Sequence, residues 1–200
     1  MYNKRFSPIE KGIKMNNKVY IHLAKGFEEI EALTITDVLR RGGVAAETVS
    51  ITGNKPVRGT HGVNIEADIL FEEADYEGCR MIVLPGGMPG AANLGEHEGL
   101  CTKIKEFAAD SEKYLAAICA APMVFAACGV LEGEKATIYP GMESKLAGSE
   151  ATGENVTVSG RTVTGLGPAT AMEFALKLLE VLEGREKRDE VASGLLFDRR

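Results

Sequence analysis

The sequence has no apolar run approaching the ~20 residues of a membrane-spanning helix, so no membrane partner is expected. It also lacks any excess of positive charge. A formal net charge of -6 argues against non-specific nucleic-acid binding, which needs a basic face to displace counterions. The short basic stretches "LRRGG" and "GREKRDE" are neighboured by acids and read as helix ends or a solvated face. There is no GxGxxG phosphate fingerprint around Gly86 and Gly87, which disfavours dinucleotide binding. No CxxC pair occurs, and the four cysteines and three histidines show no metal-ligand spacing. Neither a metal nor another cofactor is expected. Repeats, low-complexity tracts and linkers are missing as well. What remains is one ordinary domain, its 200 residues enough to bury a core without disulfide staples.

The cysteines Cys79, Cys101, Cys119 and Cys128 read as free thiols. Cys119 and Cys128 cannot bridge if they share a helix, because nine residues at ~1.5 Å each separate them by ~13 Å. Free thiols and the lack of a readable secretory signal point to a reducing, cytoplasmic setting. At the start, "MYNKRFSPIEKGIK" has no periodicity and precedes a second methionine, Met15. Residues 1–17 therefore read as a disordered tail or mis-start, and residues 18–197 as the folded domain.

Along that domain, strands alternate with helices. "VYIHLAKG" reads as a buried strand ending in a turn glycine. "FEEIEALTITDVLRRGG" then reads as a helix with acids in its first turn, arginines in its last and glycine after it, as the macrodipole favours. Further strands are expected at "VAAETVS", around "VRGTHGVNIEAD", at "RMIVLPGG", at "YLAAIC" and in the pair "VTVS" and "RTVTG". Helices are expected around "EGLCTKIKEFAADS", in "PATAMEFALKLLEVLEG" and in "REKRDEVASGLLF". This alternation implies an α/β doubly wound fold, a mostly parallel sheet with helices on both faces. Ligands bind such sheets outside the carboxyl ends of the strands. "KGFEEIE", "LPGGMPG" and "AICAAP" all fall there.

Each of these stretches has two readings. Cys119 ends a strand and opens a helix, flanked by Ala116, Ala117, Ala120 and Ala121, with Pro122 suited to the first helical turn. That is the form of a nucleophile elbow, which sets sulfur at a helix N-terminus. Equally, cysteine is a common small hydrophobe of protein cores. Gly86 and Gly87 let the backbone come close, so the N–H groups of Gly87 and Ala120 could surround the sulfur as an oxyanion hole; otherwise they form a plain turn. Glu31 lies one turn into the first helix. It is either a solvated helix residue or a desolvated carboxyl that stays protonated and donates to a thiolate. The first helix is apolar on two sides, Ile30, Leu33 and Val38 on one and Ala32, Ile35 and Leu39 on the other, which leaves one side for a subunit partner. Among the remaining residues, His22 reads as structural, His61 as a surface loop residue or, beside Arg58, one that borders the cleft, and His97 as exposed. Asn93 reads as the cap of the segment that follows it. Cys79, Cys101 and Cys128 read as packing or incidental thiols.

In order and spacing, "HLAKGFEEIEA…DVLRRGG", "IVLPGGMPGAANL", "AAICAAP", "GLGPATAMEFALKLLE" and "EVASGLLF" resemble the DJ-1 branch of the DJ-1/ThiJ/PfpI superfamily, over about residues 18–197. The resemblance implies a single flavodoxin-like domain and a homodimer packed partly through the first helix. It implies a reactive, low-pKa Cys119 hydrogen-bonded to a protonated Glu31, with the amides of Gly87 and Ala120 around the sulfur. Gly86, Tyr139 and Pro168 stand as pocket candidates. Three departures matter. Tyr139 takes the place of a histidine found in many relatives, and its phenol is a poor base near neutral pH. Leu166 replaces a pocket arginine. Ala120 follows the cysteine where the protease-like branch has histidine, which removes the ready base for peptide hydrolysis. The function implied is a stress-response enzyme acting on small reactive carbonyls, of the glutathione-independent glyoxalase or deglycase type. The alternative is a non-catalytic oxidation sensor or redox-regulated chaperone-like protein. A PfpI-type amidase and a thiazole-metabolism protein rank below both.

Overall fold

The computed structural model describes residues 18–197; the expectation for residues 1–17 lies outside them. The element that organises the rest is β1 (Lys18–Leu23), whose side chains beyond Lys18 are all buried. It pairs in parallel with β2 (Ala45–Ser50) on one side and β6 (Cys79–Leu84) on the other. β6 continues in parallel to β7 (Tyr114–Ile118), and β7 to β11 (Thr162–Gly165). β10 (Val156–Ser159) closes that edge antiparallel to β11, and the short β5 (Ile69–Leu70) closes the other beside β2. The resulting order is β10-β11-β7-β6-β1-β2-β5. Sheets covered on both faces have near-continuous apolar inner strands, and "VYIHL", "MIVL" and "LAAI" are of that kind.

The chain leaves β1 toward β2 and later returns to β1's other side. Right-handed crossovers therefore put α1 (Glu29–Arg41) and α3 (Glu98–Ala109) on opposite faces. α1 packs on β2 and on α5 (Ala171–Glu183), and α5 on α6 (Arg185–Gly194). The other group comprises α2 (Gly90–Glu96), α3 and α4 (Pro122–Ala127). This is the flavodoxin-like arrangement expected. The reversal of strand order at β1 and β6 opens a crevice at their carboxyl ends.

Local chemistry explains the element ends. The Glu28 side chain accepts the Glu31 N–H and caps α1, while Arg40 and Arg41 occupy its last turn. Gly43, at φ 81°, turns the chain away. Several expectations needed correction. The strand structure expected around "VRGTHGVNIEAD" is a hairpin, β3 (Pro56–Arg58) with β4 (Asn64–Glu66). α2 and the small pair β8 (Lys135–Ala136) with β9 (Glu150–Ala151) were not foreseen. Val38 belongs to the core at 0% exposure because α5 covers that part of α1; Ile30 and Leu33 remain exposed. His97 is half-buried rather than exposed: it caps α3 through Nδ1, which accepts the Leu100 N–H, and its ring lies 4.5 Å from that of Phe71. Asn93 caps nothing; its side chain donates to the Lys25 carbonyl. Cys101 and Cys128 are not incidental thiols but a disulfide between α3 and the end of α4. Neither cysteine carries a motif, so only the packing of α3 beside α4 brings them together.

Candidate active site

Three strand ends meet at the crevice. After β1, the chain turns at Gly26 (φ 85°) into Phe27 and Glu28. After β6 come Pro85, Gly86 and Gly87, and after β7 comes Cys119. The two glycine-bearing loops touch main chain to main chain. A Cβ on Gly87 would lie 2.6 Å from the Glu28 nitrogen and the Gly26 oxygen, and Gly87 itself has φ 88°. The Glu28 N–H donates to the Gly86 carbonyl at 2.9 Å, tying the loops together. At Gly86, a Cβ would fall 2.6 Å from the Cys119 Cβ and 2.9 Å from Glu31 Oε2. Only a hydrogen fits where cysteine, carboxylate and loop converge.

Cys119 has φ 63°, one of two non-glycine residues with positive φ among those described. L-residues adopt this region at a cost and usually where surroundings enforce it. Here the Cys119 N–H donates to the Gly165 carbonyl at 2.9 Å, and its carbonyl accepts the Tyr139 N–H at 2.9 Å. The elbow is thus clamped from β11 on one side and from the Tyr139 segment on the other. The Tyr139 ring is half exposed and borders Gly167, where a Cβ would stand 3.4 Å from it. Pro168 follows in a 3-10 turn, half-buried, and Leu166 donates its N–H to Asn155. Tyr139 is thus tied to the elbow through its backbone, and its ring borders the Gly167 turn that leads into Pro168.

Glu31 is fully buried. Its Oε2 accepts the Gly86 N–H at 2.7 Å, whereas Oε1 is buried with no hydrogen-bond partner of ordinary geometry. Burial pushes Glu31 up to about 7, with the Glu28 charge adding to the rise and the Gly86 N–H and Cys119 side chain opposing it. Burial also pushes the Cys119 thiol up to about 12, and the Glu31 charge adds to that; the amides of Gly87 and Ala120 pull it down. A low-pKa thiol is therefore not what the pair presents while Glu31 is ionised. Protonation of Glu31 removes the repelling charge and converts the carboxyl into a donor, leaving only desolvation against the two amides. Two buried acids whose charges oppose each other are the electrostatic character of this site.

His61 lies against Glu29, a contact the sequence did not announce. Glu29 accepts N–H groups from His61 and Val63, and its Oε2 is 2.9 Å from His61 Nδ1. Burial would raise Glu29, but the His61 side chain and these backbone donors outweigh it and hold the carboxyl below its usual range. A Cβ on Gly59 would overlap the Glu29 carboxylate, so that loop also needs glycine. Among the described residues, Glu28, Glu29 and His61 bring ligand-type atoms within 4.8 Å of one another. Their oxygens already accept protein N–H groups, so helix capping and loop anchoring account for the cluster. His22 is structural as expected: fully buried, bonded through Nε2 to the Tyr76 hydroxyl at 2.7 Å and driven down to about 3 by burial. Cys79 is packed inside the sheet, its thiol donating to the Met81 carbonyl. No helix among the described residues is long and apolar enough to cross a membrane.

Comparison with known proteins agrees with this fold. Residues 17–181 match the DJ-1/PfpI family. The chain is similar to protein DJ-1 homolog A of Arabidopsis thaliana, 39% identical over 90% of this chain and 46% of that protein, so it spans about half that relative's length. It is also 35% identical to the glutathione-independent glyoxalase DJR-1.2 of Caenorhabditis elegans, over 84% of this chain and 89% of that one. Among solved structures, oxidized DJ-1 of Toxoplasma gondii superposes with a TM-score of 0.83 at 38% identity, covering 90% of this chain and 97% of that one.

Proposed function

The chain belongs to the DJ-1/PfpI family, and from that premise we propose that it is a cysteine-dependent enzyme acting on small reactive carbonyls without glutathione. The observation that carries the reading is the pair that meets at Gly86: a fully buried Glu31 raised to about 7 beside a Cys119 held at φ 63°. A carboxyl near neutrality can both give and take a proton at working pH. Glu31 as carboxylate takes the thiol proton while the Cys119 sulfur adds to the aldehyde carbon of methylglyoxal. The amides of Gly87 and Ala120 hold the developing oxyanion, which Glu31 protonates to give the hemithioacetal. Glu31 then moves a proton between the two adjacent carbons, which converts the hemithioacetal into an α-hydroxy thioester. Water cleaves the C–S bond and frees the thiol. Methylglyoxal plus water gives lactate, with no net electron transfer and no cofactor. Tyr139, in place of a histidine, leaves Glu31 as the base. The relative named a glutathione-independent glyoxalase supports the substrate class, and deglycation of early adducts would use the same addition step. The exposed Ile30, Leu33 and Val63, joined through the Val63–Glu29 contact, are the face we assign to a second copy.

Lactate is the product to measure, because lysine and arginine side chains consume methylglyoxal without catalysis. Wild type should form it over many turnovers without glutathione, and Cys119→Ala should form none. No lactate from wild type would overturn the carbonyl reading. The buried thiol beside a donor carboxyl would then favour a second one, an oxidation sensor in which Glu31 stabilises an oxidised Cys119.

A further inference from the structure

The two amides nearest the Cys119 sulfur come from separate arms of the chain. One arm runs from Gly87 through α2 into the first turn of α3, where Cys101 sits fourteen positions on. The other runs from Ala120 through α4, whose C-cap is Cys128; its N–H bonds back to the carbonyls of Val124 and Ala126. α4 spans only six residues, so its end is rigidly coupled to the elbow at its start. Val124 and Phe125 bury its inner face. The Cys101–Cys128 disulfide, with Cα atoms 5.9 Å apart, joins the two arms covalently. The chain segment it closes contains Cys119 itself.

We propose that Cys101–Cys128 is a reversible dithiol–disulfide site, exchanged by a dithiol reductant, whose oxidation state sets the reactivity of Cys119. The proposal rests on the reading of Cys119 as a reactive thiol but not on carbonyl turnover. Cys101 is half-buried and Cys128 is 6% exposed, so the entering thiolate attacks the Cys101 sulfur. The S–S bond breaks, and Cys128 leaves as a thiolate and takes a proton. The reagent's second thiol then displaces Cys101 as a thiol. The reagent ends as a disulfide, and two electrons and two protons have passed to the protein. The oxidised form holds the arms, and so the Gly87 and Ala120 amides, at fixed separation. The reduced form lets them drift. Losing one oxyanion donor outright costs about 10²–10³ in rate, and loosening a pair without removing it should cost about three- to tenfold.

The full chain, equilibrated in buffers of reduced and oxidised dithiothreitol, tests this. Acid quenching and maleimide labelling, read by peptide mass spectrometry, report the fraction of Cys101 and Cys128 that is free. After rapid desalting, a pulse of iodoacetamide reports the alkylation rate of Cys119. The pair should titrate across the series, and Cys119 alkylation should slow three- to tenfold as it becomes reduced. In Cys101→Ser/Cys128→Ser, and in Cys101→Ser alone should the double variant fold poorly, that rate should stay at the reduced value throughout. Three results would overturn the proposal: a pair fixed in one state at every ratio, a wild-type Cys119 rate that ignores the pair, or a variant rate that still follows the buffer. A Cys119 that resists alkylation everywhere would remove the reactive-thiol premise, whereas absence of lactate alone would leave the redox site untouched.

Discussion

Cys79 and Cys119 make an instructive pair. Both are free and buried, and burial pushes both thiols up to about 12. By exposure and proton affinity they are the same residue. Their surroundings separate them. Cys79 opens β6 where its register against β1 shifts by one residue, outside the left-handed φ region and with its thiol engaged by the Met81 carbonyl. Cys119 stands just past the carboxyl end of β7 at φ 63°, with two amides and a buried carboxyl around it. Desolvation sets the resting state of a thiol; the groups that meet its charge when it forms determine its reactivity.

The sharpest way to break this contrast is to compare the two sulfurs directly. Cys119 should alkylate at least 10²-fold faster than Cys79, given the size of an oxyanion-hole contribution; site-resolved mass spectrometry after an iodoacetamide pulse gives the ratio. Equal rates would mean that burial alone governs both. Next in size is Gly86→Ala. Its methyl group would enter the space held by Cys119 and Glu31, so carbonyl turnover should fall by about 10²-fold, the scale of a 1 Å misplacement. Denaturant unfolding should show a loss of about 1–3 kcal/mol from overpacking. An active, unstrained variant would mean that the loops separate readily.

Glu31→Gln sharpens the comparison through pH. Glu31 rises from 4.5 in the unfolded chain to about 7 in the fold, so the folded state binds more protons between those values. Its contribution to stability is full below 4.5 and is lost as pH climbs through 7, a change of about 3 kcal/mol. Wild-type stability relative to Glu31→Gln should therefore decline over that window, as denaturant midpoints at several pH values would reveal; a flat difference would place the proton elsewhere. The smallest effect belongs to Cys79→Ala. It should leave lactate formation within twofold of wild type and cost about 1 kcal/mol for a small cavity. A larger loss of activity would draw Cys79 into the site.

The sequence made the sheet and the elbow legible because both depend on neighbours in the chain. Runs such as "MIVL" announce buried parallel strands, and alanines around Cys119 announce a sharp strand-to-helix turn. Glu31 was legible as one of two alternatives, and its complete burial removes the solvated one. What stayed hidden depends on approach in space. Cys101 and Cys128 lie 27 positions apart without a motif. His97 looked like a surface residue until Phe71 packed on it. The hairpin carrying His61 finds Glu29 through backbone N–H groups that any sequence would possess.

The glycine loops also say where this site can be altered. Its floor is made of main chain: Gly26, Gly87 and Gly90 lie so close that a Cβ on any of them would strike the opposite backbone. Tyr139, Leu166 and Pro168 are partly exposed instead, and we propose them as the rim of the pocket. A library meant to test the proposed carbonyl selectivity belongs at those three positions, because the close-packed main chain leaves no room for side chains whereas these can be exchanged.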